Sequence, residues 1–295
     1  AYLSGGNMTF TSGVTLGINY VNIIAASGGS LINHNSILTG KSGLQATGNV
    51  PTSTTILNDT DGVITSHTVG AVAIAGEDGA HITNAGKIVM TGDGSVGFYT
   101  NGATGISTGT MDIKDNSIAY YAEDKNDRGT VLTVGAGAVT TMGNNSILLA
   151  ADHGGKIDYQ GGAIILGDNK YGALIGEQNS NGTKSEIDFH NNDITVGKKS
   201  VAVILKSGGE INSTLGDIYA GENSVGIYSL GDITNISTAG RTINLDSEAT
   251  GMYGEEGTDM DLSGSIFSSS RGAKGIANKN TTSSASGRIS NNGSI

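Results

Sequence analysis

The stretch Asn-Ser-Val-Gly-Ile-Tyr at residues 223–228 recurs along the chain. Ser-Val-Gly-Phe-Tyr stands at residues 95–99, and Ala-Thr-Gly-Met-Tyr at residues 249–253. Close variants occupy residues 117–121 and 200–204, and weaker copies are centred on Gly17, Gly43, Gly70, Leu148, Ala173 and Gly275. The average spacing is about 26 residues, a period that is typical of solenoids and repeat arrays.

Two further phrases follow the same period. One is an Ile or Leu followed by Asn, Asp or Ser, at Ile32, Leu57, Ile82, Ile157, Ile187, Ile211 and Ile289, with weaker members at Ile106, Leu132, Ile233 and Met260. The other is a single Ile or Val, at Ile37, Ile64, Ile88, Ile113, Val139, Ile164, Ile194, Ile218, Ile243, Ile266 and Ile295. Three phrases in a fixed order predict three short strands per repeat.

We therefore predict an all-β fold, a right-handed parallel β-helix with about 11 coils of roughly 26 residues and three short strands per coil. Coils stacked at the spacing of strands in a sheet, about 4.8 Å, would make a rod on the order of 50 Å long. The repeats cover residues 1–295 as a single domain. Because the chain ends inside a repeat phrase, at residues 293–295, we expect it to be part of a longer array.

The composition fits this prediction and excludes several classes of protein. The chain has 295 residues with 48 Gly, one Pro, no Cys and no Trp, and 36% of the residues are hydrophobic. Strands do not alternate with helical patterns, which argues against an α/β fold. No apolar run is long enough for a transmembrane helix. The net charge of −11 argues against binding to nucleic acid.

The first phrase carries the predicted core. One position is nearly always large and apolar, at Ile18, Leu44, Ala71, Phe98, Tyr120, Leu149, Leu174, Val203, Ile227, Met252 and Ile276. Two residues earlier the position is mostly apolar again, at Leu16, Val69, Val96, Ile118, Ile147, Val201 and Val225. A spacing of two puts both positions on one face of a strand, so both are predicted to point inward. The Gly or Ala between them would let a neighbouring backbone come close.

Asparagines follow several second phrases, at Asn33, Asn58, Asn84 and Asn212. Asn tolerates left-handed backbone and bonds its own chain, so we expect these residues at turns.

The connections between phrases differ most in length on one edge, from 7 to 15 residues, whereas the other two edges vary little apart from the ten-residue separation of Ile233 and Ile243. The large variation falls between the first and second phrases, in loops at residues 46–55, 123–130, 177–186 and 278–286. Loops on a rigid scaffold are where binding usually evolves, although such an edge can also merely tolerate insertion. The predicted binding residues on this edge are Asn49, Thr52, Asp124, Asn126, Asp127, Arg128, Asn179, Asn181 and Lys184.

Tyrosines occupy the same repeat position in consecutive coils, at Tyr99 and Tyr121 and again at Tyr228 and Tyr253. Exposed stacked rings could form a platform for a sugar. We favour the other interpretation, an aromatic ladder that stabilises adjacent coils.

The sequence shows no catalytic arrangement. The five histidines do not belong to a recognisable triad, there is no HExxH, and there is no GxSxG. Residues 124–129 offer oxygen ligands and a glycine, as calcium loops do, but lack the bidentate Glu and carry two basic residues. We predict a protein that is not an enzyme and has no metal site and no cofactor.

The repeats resemble those of very large fusobacterial type V autotransporter adhesins, the RadD type and its galactose-binding relative. The residues that carry the likeness are GIY at 226–228, GMY at 251–253, ITNAGKI at 82–88 and ISNNGSI at 289–295. The resemblance implies a passenger at the bacterial cell surface, with an outer-membrane β-barrel at the C-terminus of the full-length chain. It also implies adhesion to a protein or glycan receptor on host cells or partner bacteria. The absence of cysteine fits export through the periplasm.

Two alternatives stay open. A β-helical polysaccharide lyase or glycosidase would require two acidic residues, or an Asp cluster with Arg, at one point on one sheet. A toxin passenger would oligomerise through its edges.

Overall fold

The computed structural model describes residues 2–11, 16–17, 23–48, 54–206, 209, 211, 214–230, 236–237, 240–255, 258, 260–279, 289–291 and 293–295. Every regular element in these ranges is a β-strand, as predicted. Within them there is no helix with the length and apolarity needed to cross a bilayer.

The chain divides into two compact units. The first unit comprises Ala1–Leu149 and Gly155–Gly161, and the second comprises Ala150–Gly154 and Gly162–Ile295. In each unit the strands stack as coils of a parallel β-solenoid, with about nine turns in all rather than the eleven predicted. The single domain over residues 1–295 and the right-handed sense of the coil stay predictions.

The strands of the first unit run from the N-terminus to β18, and β17 also contributes its last residues to the second unit. Their bounds are β1 (Tyr2–Phe10), β2 (Leu16–Gly17), β3 (Ile23–Asn33), β4 (Ser36–Thr39), β5 (Ser42–Thr47), β6 (Thr55–Asn58), β7 (Val63–Ser66), β8 (Val72–Glu77), β9 (His81–Asn84), β10 (Lys87–Met90), β11 (Val96–Asn101), β12 (Thr104–Ser107), β13 (Thr110–Ile113), β14 (Ile118–Glu123), β15 (Val131–Val134), β16 (Val139–Met142), β17 (Ser146–Asp152) and β18 (Lys156–Tyr159).

The strands of the second unit follow in the same manner. Their bounds are β19 (Ile164–Leu166), β20 (Lys170–Ile175), β21 (Glu186–Asp188), β22 (Ile194–Val196), β23 (Val201–Lys206), β24 (Ile218–Ala220), β25 (Val225–Leu230), β26 (Ile236–Ser237), β27 (Thr242–Leu245), β28 (Thr250–Glu255), β29 (Met260–Leu262), β30 (Ser265–Ser268), β31 (Lys274–Lys279) and β32 (Ile289–Asn291).

The strands of each phrase pair with one another from coil to coil, and the long strands β1 and β3 join the first and second series. In the first unit the first sheet pairs β3, β5, β8, β11 and β14, the second pairs β3, β6, β9, β12, β15 and β18, and the third pairs β2, β4, β7, β10, β13 and β16. In the second unit the corresponding sheets pair β20, β23, β25, β28 and β31, then β26, β29 and β32, then β19, β22, β24, β27 and β30. All of these pairings are parallel, so successive coils are stacked in register.

The first repeat was assigned to the wrong sheet. Leu16 is partnered with Ile37, so Leu16 and Gly17 lie in the third sheet, and Ile18 falls outside the described residues. The first-sheet segment of this coil begins instead at Ile23, which is partnered with Leu44. The prediction failed because β3 runs through both the first and second sheets, and a single long strand hides the boundary between two phrases.

The first phrase lines the core at its large position. Phe98 is partnered with Tyr120, Ile227 is partnered with Met252, and all four side chains are buried. The prediction was wrong at two positions. The residue equivalent to Phe98 in β8 is Ile74 rather than Ala71, and Val203 is partnered with Ala173 rather than Leu174.

The residues two positions earlier do not point fully inward. Val69 is 69% exposed and lies outside the strand, while Val96, Ile118, Ile147, Val201 and Val225 are only half-buried. The first-sheet strands bury two consecutive residues, the small one and the large one after it, as in the pattern of β11. The alternation of buried and exposed side chains along a regular strand is therefore interrupted at the small residue.

The small residue allows close approach between coils, as predicted. A Cβ built on Gly226 would lie 2.6 Å from the carbonyl oxygen of Gly251 in the next coil, a separation that real Cβ atoms do not show. A side chain there would push adjacent coils apart.

The second and third phrases contain errors of phase. Leu31 and Ile56 are buried and partnered, whereas the predicted Ile32 and Leu57 lie one residue further on and face the other way. A shift of one residue reverses the face of a strand. The same error applies to Ile106 in the second phrase, whose side chain is exposed. In the third phrase, two predicted core residues are wrong. Ile88 is partnered with Met111 rather than with Ile113, and Val139 is 61% exposed.

In the third sheet of the second unit the prediction is confirmed at five positions, whereas Ile295, also predicted there, is 69% exposed. The core of this sheet is a ladder of five buried isoleucines, Ile164, Ile194, Ile218, Ile243 and Ile266.

Three of the asparagines form a buried ladder, and Asn33 also bonds its own chain across a turn, as predicted, because its Oδ1 accepts from the N–H of Asn35 at 3.1 Å. Asn33 donates from Nδ2 to Oδ1 of Asn58 at 2.8 Å, and Asn58 donates to Asn84 at 2.7 Å. All three are fully buried at the ends of second-sheet strands, and none has a positive φ. An amide has both donor and acceptor groups, so identical residues in successive coils satisfy one another. Asn212 lies outside the described residues.

Candidate functional site

The variable edge lies where the sequence predicted it. β14 ends at Glu123 and β15 begins at Val131, and β20 ends at Ile175 while β21 begins at Glu186. The equivalent gap between β11 and β12 is two residues, Gly102 and Ala103. Two long loops can therefore be described, residues 124–130 in the first unit and residues 176–185 in the second. Asn49 and Thr52 lie outside the described residues.

Asp124 shapes the loop at residues 124–130 from within. Its side chain is buried, and its Oδ1 accepts a hydrogen bond from the backbone N–H of Arg128 at 2.8 Å. Its Oδ2 accepts from the N–H groups of Gly129 at 2.8 Å and Thr130 at 3.3 Å. Buried carboxylates need such partners. The oxygens that suggested a calcium loop thus serve the loop's own backbone, and the loop presents Asn126, Asp127 and Arg128 at the surface.

This loop extends back over the edge of the neighbouring coils. Arg128 Nη1 lies 3.3 Å from Asp78 Oδ1, and Asn126 Nδ2 donates to the same oxygen at 3.5 Å. The loop passes over Gly102, where an added Cβ would lie 3.2 Å from Cβ of Arg128. The missing side chain at Gly102 therefore makes room for the longer loop of the next coil.

Beside this loop two tyrosines converge on one carboxylate. The rings of Tyr99 and Tyr121 are 5.5 Å apart and tilted by 52°. Tyr99 donates from its hydroxyl to Oε1 of Glu123, and Tyr121 donates to Oε2 at 3.0 Å. Lys125 Nζ also donates to Oε1 of Glu123 at 2.7 Å, and Glu123 is only 3% exposed. The ring contact agrees with the predicted ladder between coils, and the glutamate adds a hydrogen-bonded cap that the sequence pattern did not predict.

The cap concentrates negative charge. Burial is the main cause that raises the pKa of Glu77 above its ordinary value, and the nearby carboxylates of Asp78 and Glu123 raise it further, while Lys125 opposes them. Burial and the hydrogen bond to Glu123 also raise the pKa of the Tyr99 phenol. The edge thus combines aromatic rings, carboxylates and two cationic side chains within a few coils.

The second unit repeats the arrangement in smaller form. The rings of Tyr228 and Tyr253 are 5.4 Å apart, and Tyr253 donates to Oε1 of Glu255 at 3.3 Å. Burial, followed by the charge of Glu255, raises the pKa of Tyr228 to about 12. The shared sequence signal is Tyr-x-Glu, at residues 121–123 and 253–255. Where a tyrosine of this motif also stacks on a tyrosine of the preceding coil, the motif indicates which glutamate accepts the hydrogen bonds.

The loop at residues 176–185 is organised by an amide in place of a carboxylate. Asn179 is buried, and its Oδ1 accepts from the N–H groups of Asn181 at 3.0 Å and Thr183 at 2.9 Å. Its own N–H donates to the carbonyl of Thr183 at 2.9 Å. Of the predicted binding residues here, Asn181 and Lys184 are exposed, whereas Asn179 supports the loop from inside.

A buried hydroxyl closes the base of each long loop. The hydroxyl belongs to the residue immediately before the second-sheet strand and donates to a carbonyl near the end of the first-sheet strand. The three pairs are Thr54 to Thr47 at 3.2 Å, Thr130 to Glu123 at 2.7 Å and Ser185 to Glu177 at 2.5 Å. The backbone therefore leaves and re-enters the coil at a fixed point, and the tip between these ends can change without disturbing the core.

Comparison of the chain with protein-family models, with curated proteins and with solved structures returned no match.

Proposed function

We propose that the chain is a segment of a bacterial cell-surface adhesin passenger, anchored at the outer membrane, whose side loops bind a protein or glycan receptor on host cells or partner bacteria. The observation that carries the proposal is the restriction of length variation to the connections between the first and second sheets. A stacked β-scaffold with variable loops on one edge is suited to recognition by the loops. The likeness of the repeats to fusobacterial adhesins supports the cellular setting.

The internal organisation of the loops favours binding by their tips. Asp124 and Asn179 hold the two described loops from inside, so each tip is fixed before any partner arrives. A loop that is already ordered loses little conformational entropy on binding. The tip of the first loop presents an amide, a carboxylate and a guanidinium at Asn126, Asp127 and Arg128. These groups suit a polar receptor surface, and the proposed role requires no catalysis.

Attachment of the purified chain to cells tests this proposal. The replacement of Asn126 and Asp127 together by Ala should weaken attachment to the bacterial or host cells that bind the parent chain, with no change in folding. Asp112→Ala is the matched control, because Asp112 is exposed on the third sheet of the same unit. Equal attachment by the double variant and the parent would place the contacts elsewhere, and failure of the parent to attach to either cell type would reject the role.

One observation favours a second candidate, a glycosidase. Glu77 and Glu123 occupy the same register position two coils apart, which places their Cα atoms about 10 Å from each other. The pKa of Glu77 is raised, whereas Glu123 accepts hydrogen bonds from two phenols and an ammonium group. Two carboxyl groups in unlike environments are the usual acid and base of glycoside hydrolysis.

Adhesion is the preferred proposal because Glu123 is buried and both of its oxygens are engaged. Release of reducing ends from bacterial or host polysaccharides by the parent chain, abolished in Glu77→Gln, would instead establish the glycosidase. If no reducing ends are released, the carboxyl pair is part of the scaffold.

A further inference from the structure

The outer face of the third sheet in the second unit carries a column of exposed side chains at one register position. The members of this outer column, in stacking order, are Ile165, Thr195, Tyr219, Asn244 and Phe267. Three of them are large and apolar, with exposed fractions of 77% for Ile165, 42% for Tyr219 and 57% for Phe267. Exposed apolar side chains gathered on one face of a protein can mark an interaction surface or a ligand-binding groove.

The column alternates strictly. Ile165, Tyr219 and Phe267 stand on every second strand, and Thr195 and Asn244 lie between them. At about 4.8 Å per strand, the apolar side chains repeat every ~10 Å over a span of about 19 Å.

The equivalent column in the first unit shows that the fold does not impose this pattern. Its described members are Gly17, Leu38, Thr65, Val89, Asp112 and Thr141, none of them aromatic. The aromatic residues of the outer column are therefore specific to the second unit.

A surface hollow of about 300 Å³ lies beside the centre of the column. Its walls include Tyr219, Asn244, Asp246 and Ser270, and the Ser270 hydroxyl contacts Asp246 Oδ1 at 3.4 Å. An aromatic ring beside an amide, a carboxylate and a hydroxyl matches the chemistry of a sugar ring. The apolar C–H face of a sugar packs on an aromatic ring, while its hydroxyl groups need donors and acceptors at the rim.

We propose that the outer column binds a linear, neutral glycan that lies along the stacking direction of the coils. A regular step from one apolar side chain to the next fits a polymer with a regular repeat. The surroundings of the hollow are acidic: Asp246 lines it, and the carboxylates of Asp168, Glu222 and Asp246 together surround the single ammonium group of Lys198, which lies 2.7 Å from Glu222. We call these three carboxylates the acidic rim. This rim disfavours an anionic polysaccharide, and it also disfavours a second copy of the chain, which would bring the same acidic rim.

Calorimetric titration of the whole chain with defined pentasaccharides tests the proposal. The neutral probes are β-1,4-linked pentamers of glucose and of N-acetylglucosamine, and the anionic probe is a galacturonate pentamer. At least one neutral pentamer should bind, more tightly than its dimer, and the galacturonate should not. Tyr219→Ala and Phe267→Ala should each weaken binding by at least about fivefold, because each removes one stacking ring.

Two further variants make the result specific. Tyr219→Phe keeps the ring and should retain binding, and Val139→Ala, which truncates an exposed apolar residue on the third sheet of the first unit, should have no effect. The proposal is overturned if neither neutral pentamer binds at millimolar concentration, or if the galacturonate binds as well. It is also overturned if Tyr219→Ala binds like the parent, or if sedimentation shows that the column mediates self-association. The loop-edge function can fail without affecting this outcome, because the two surfaces use different residues.

Discussion

Tyr99 and Tyr121 lie at the same register position in adjacent coils, with their ring centroids 5.5 Å apart, and both hydroxyl groups donate to the single carboxylate of Glu123. The glutamate follows Tyr121 by two residues, at the last position of β14 and at the entrance to the loop at residues 124–130. The ladder between coils is thereby connected to the edge that we propose binds a receptor.

The cap should contribute measurably to stability. Glu123→Ala removes the acceptor of two phenols and of the Lys125 ammonium, and should lower the free energy of unfolding by about 2 kcal/mol. Glu255→Ala is the matched comparison in the second unit, where the hydrogen bond from the Tyr253 hydroxyl is longer, at 3.3 Å, and the loss should be below about 1 kcal/mol. Urea unfolding measures both. Equal losses would show that the Glu123 cap has no special role.

Stability should fall in alkali. The pKa of Tyr228 is raised to about 12, from about 10 in the unfolded chain, so folding favours the protonated phenol. This contribution is fully present below pH 10 and is lost as the pH rises towards 12. Tyr99, whose pKa is also raised, acts in the same direction. Unfolding midpoints measured across this pH range should decline less steeply in Tyr228→Phe than in the parent. The same pH dependence in both proteins would contradict the raised pKa of Tyr228.

Glu77→Gln should stabilise the chain at neutral pH. The raised pKa means that the ionised carboxylate is less favourable in the folded state, because it is partly buried beside Asp78 and Glu123. The gain should stay below about 1 kcal/mol, since solvent screens a half-exposed group. It should vanish at a pH well below 4.5, where the wild-type side chain is protonated in both states. A gain that persists at low pH would have a cause other than charge.

The close approach of coils at Gly226 has a direct test. Gly226→Ala places a Cβ 2.6 Å from a carbonyl oxygen of the next coil and should cost about 1–3 kcal/mol through overpacking. Gly167→Ala is the control, because its nearest neighbour would be the mobile end of Lys170 at 3.8 Å. Thermal melting distinguishes the two variants. A Gly226→Ala protein that melts with the control would mean that the coils separate more easily than the packing indicates.

Periodicity alone was sufficient to predict the three parallel sheets and the isoleucine ladder at Ile164, Ile194 and Ile218. Periodicity did not determine which residue faces the core where two neighbouring residues are both apolar. Leu31 and Ile32 are one example, and only pairing with Ile56 shows which of the two faces inward. The burial of two consecutive residues at Gly97 and Phe98 was missed because a regular strand alternates.

The candidate site was predicted as an edge rather than as a set of contacts. The spacing of the phrases predicted loops at residues 123–130 and 177–186, within one residue of the observed ones, because extra residues between two strands must form a longer connection. The internal role of Asp124 could not be predicted, because an acidic residue in a polar loop resembles a ligand until its backbone partners are known. The convergence on Glu123 depends on Tyr99, a residue from the preceding coil, and adjacency between coils follows only from the strand register.

We propose that the coils act as a scaffold and that the long loops bind the receptor. This division of roles is tested by comparing cell attachment by the parent chain with attachment by a variant in which residues 124–130 and 176–185 are each replaced by Asp-Gly-Ala, the connection at residues 78–80. Surface loops tolerate such shortening, so the variant should keep its strand signal in circular dichroism and melt within a few degrees of the parent. We expect this folded variant to lose attachment by at least about tenfold, and attachment equal to that of the parent would show that the long loops do not bind the receptor.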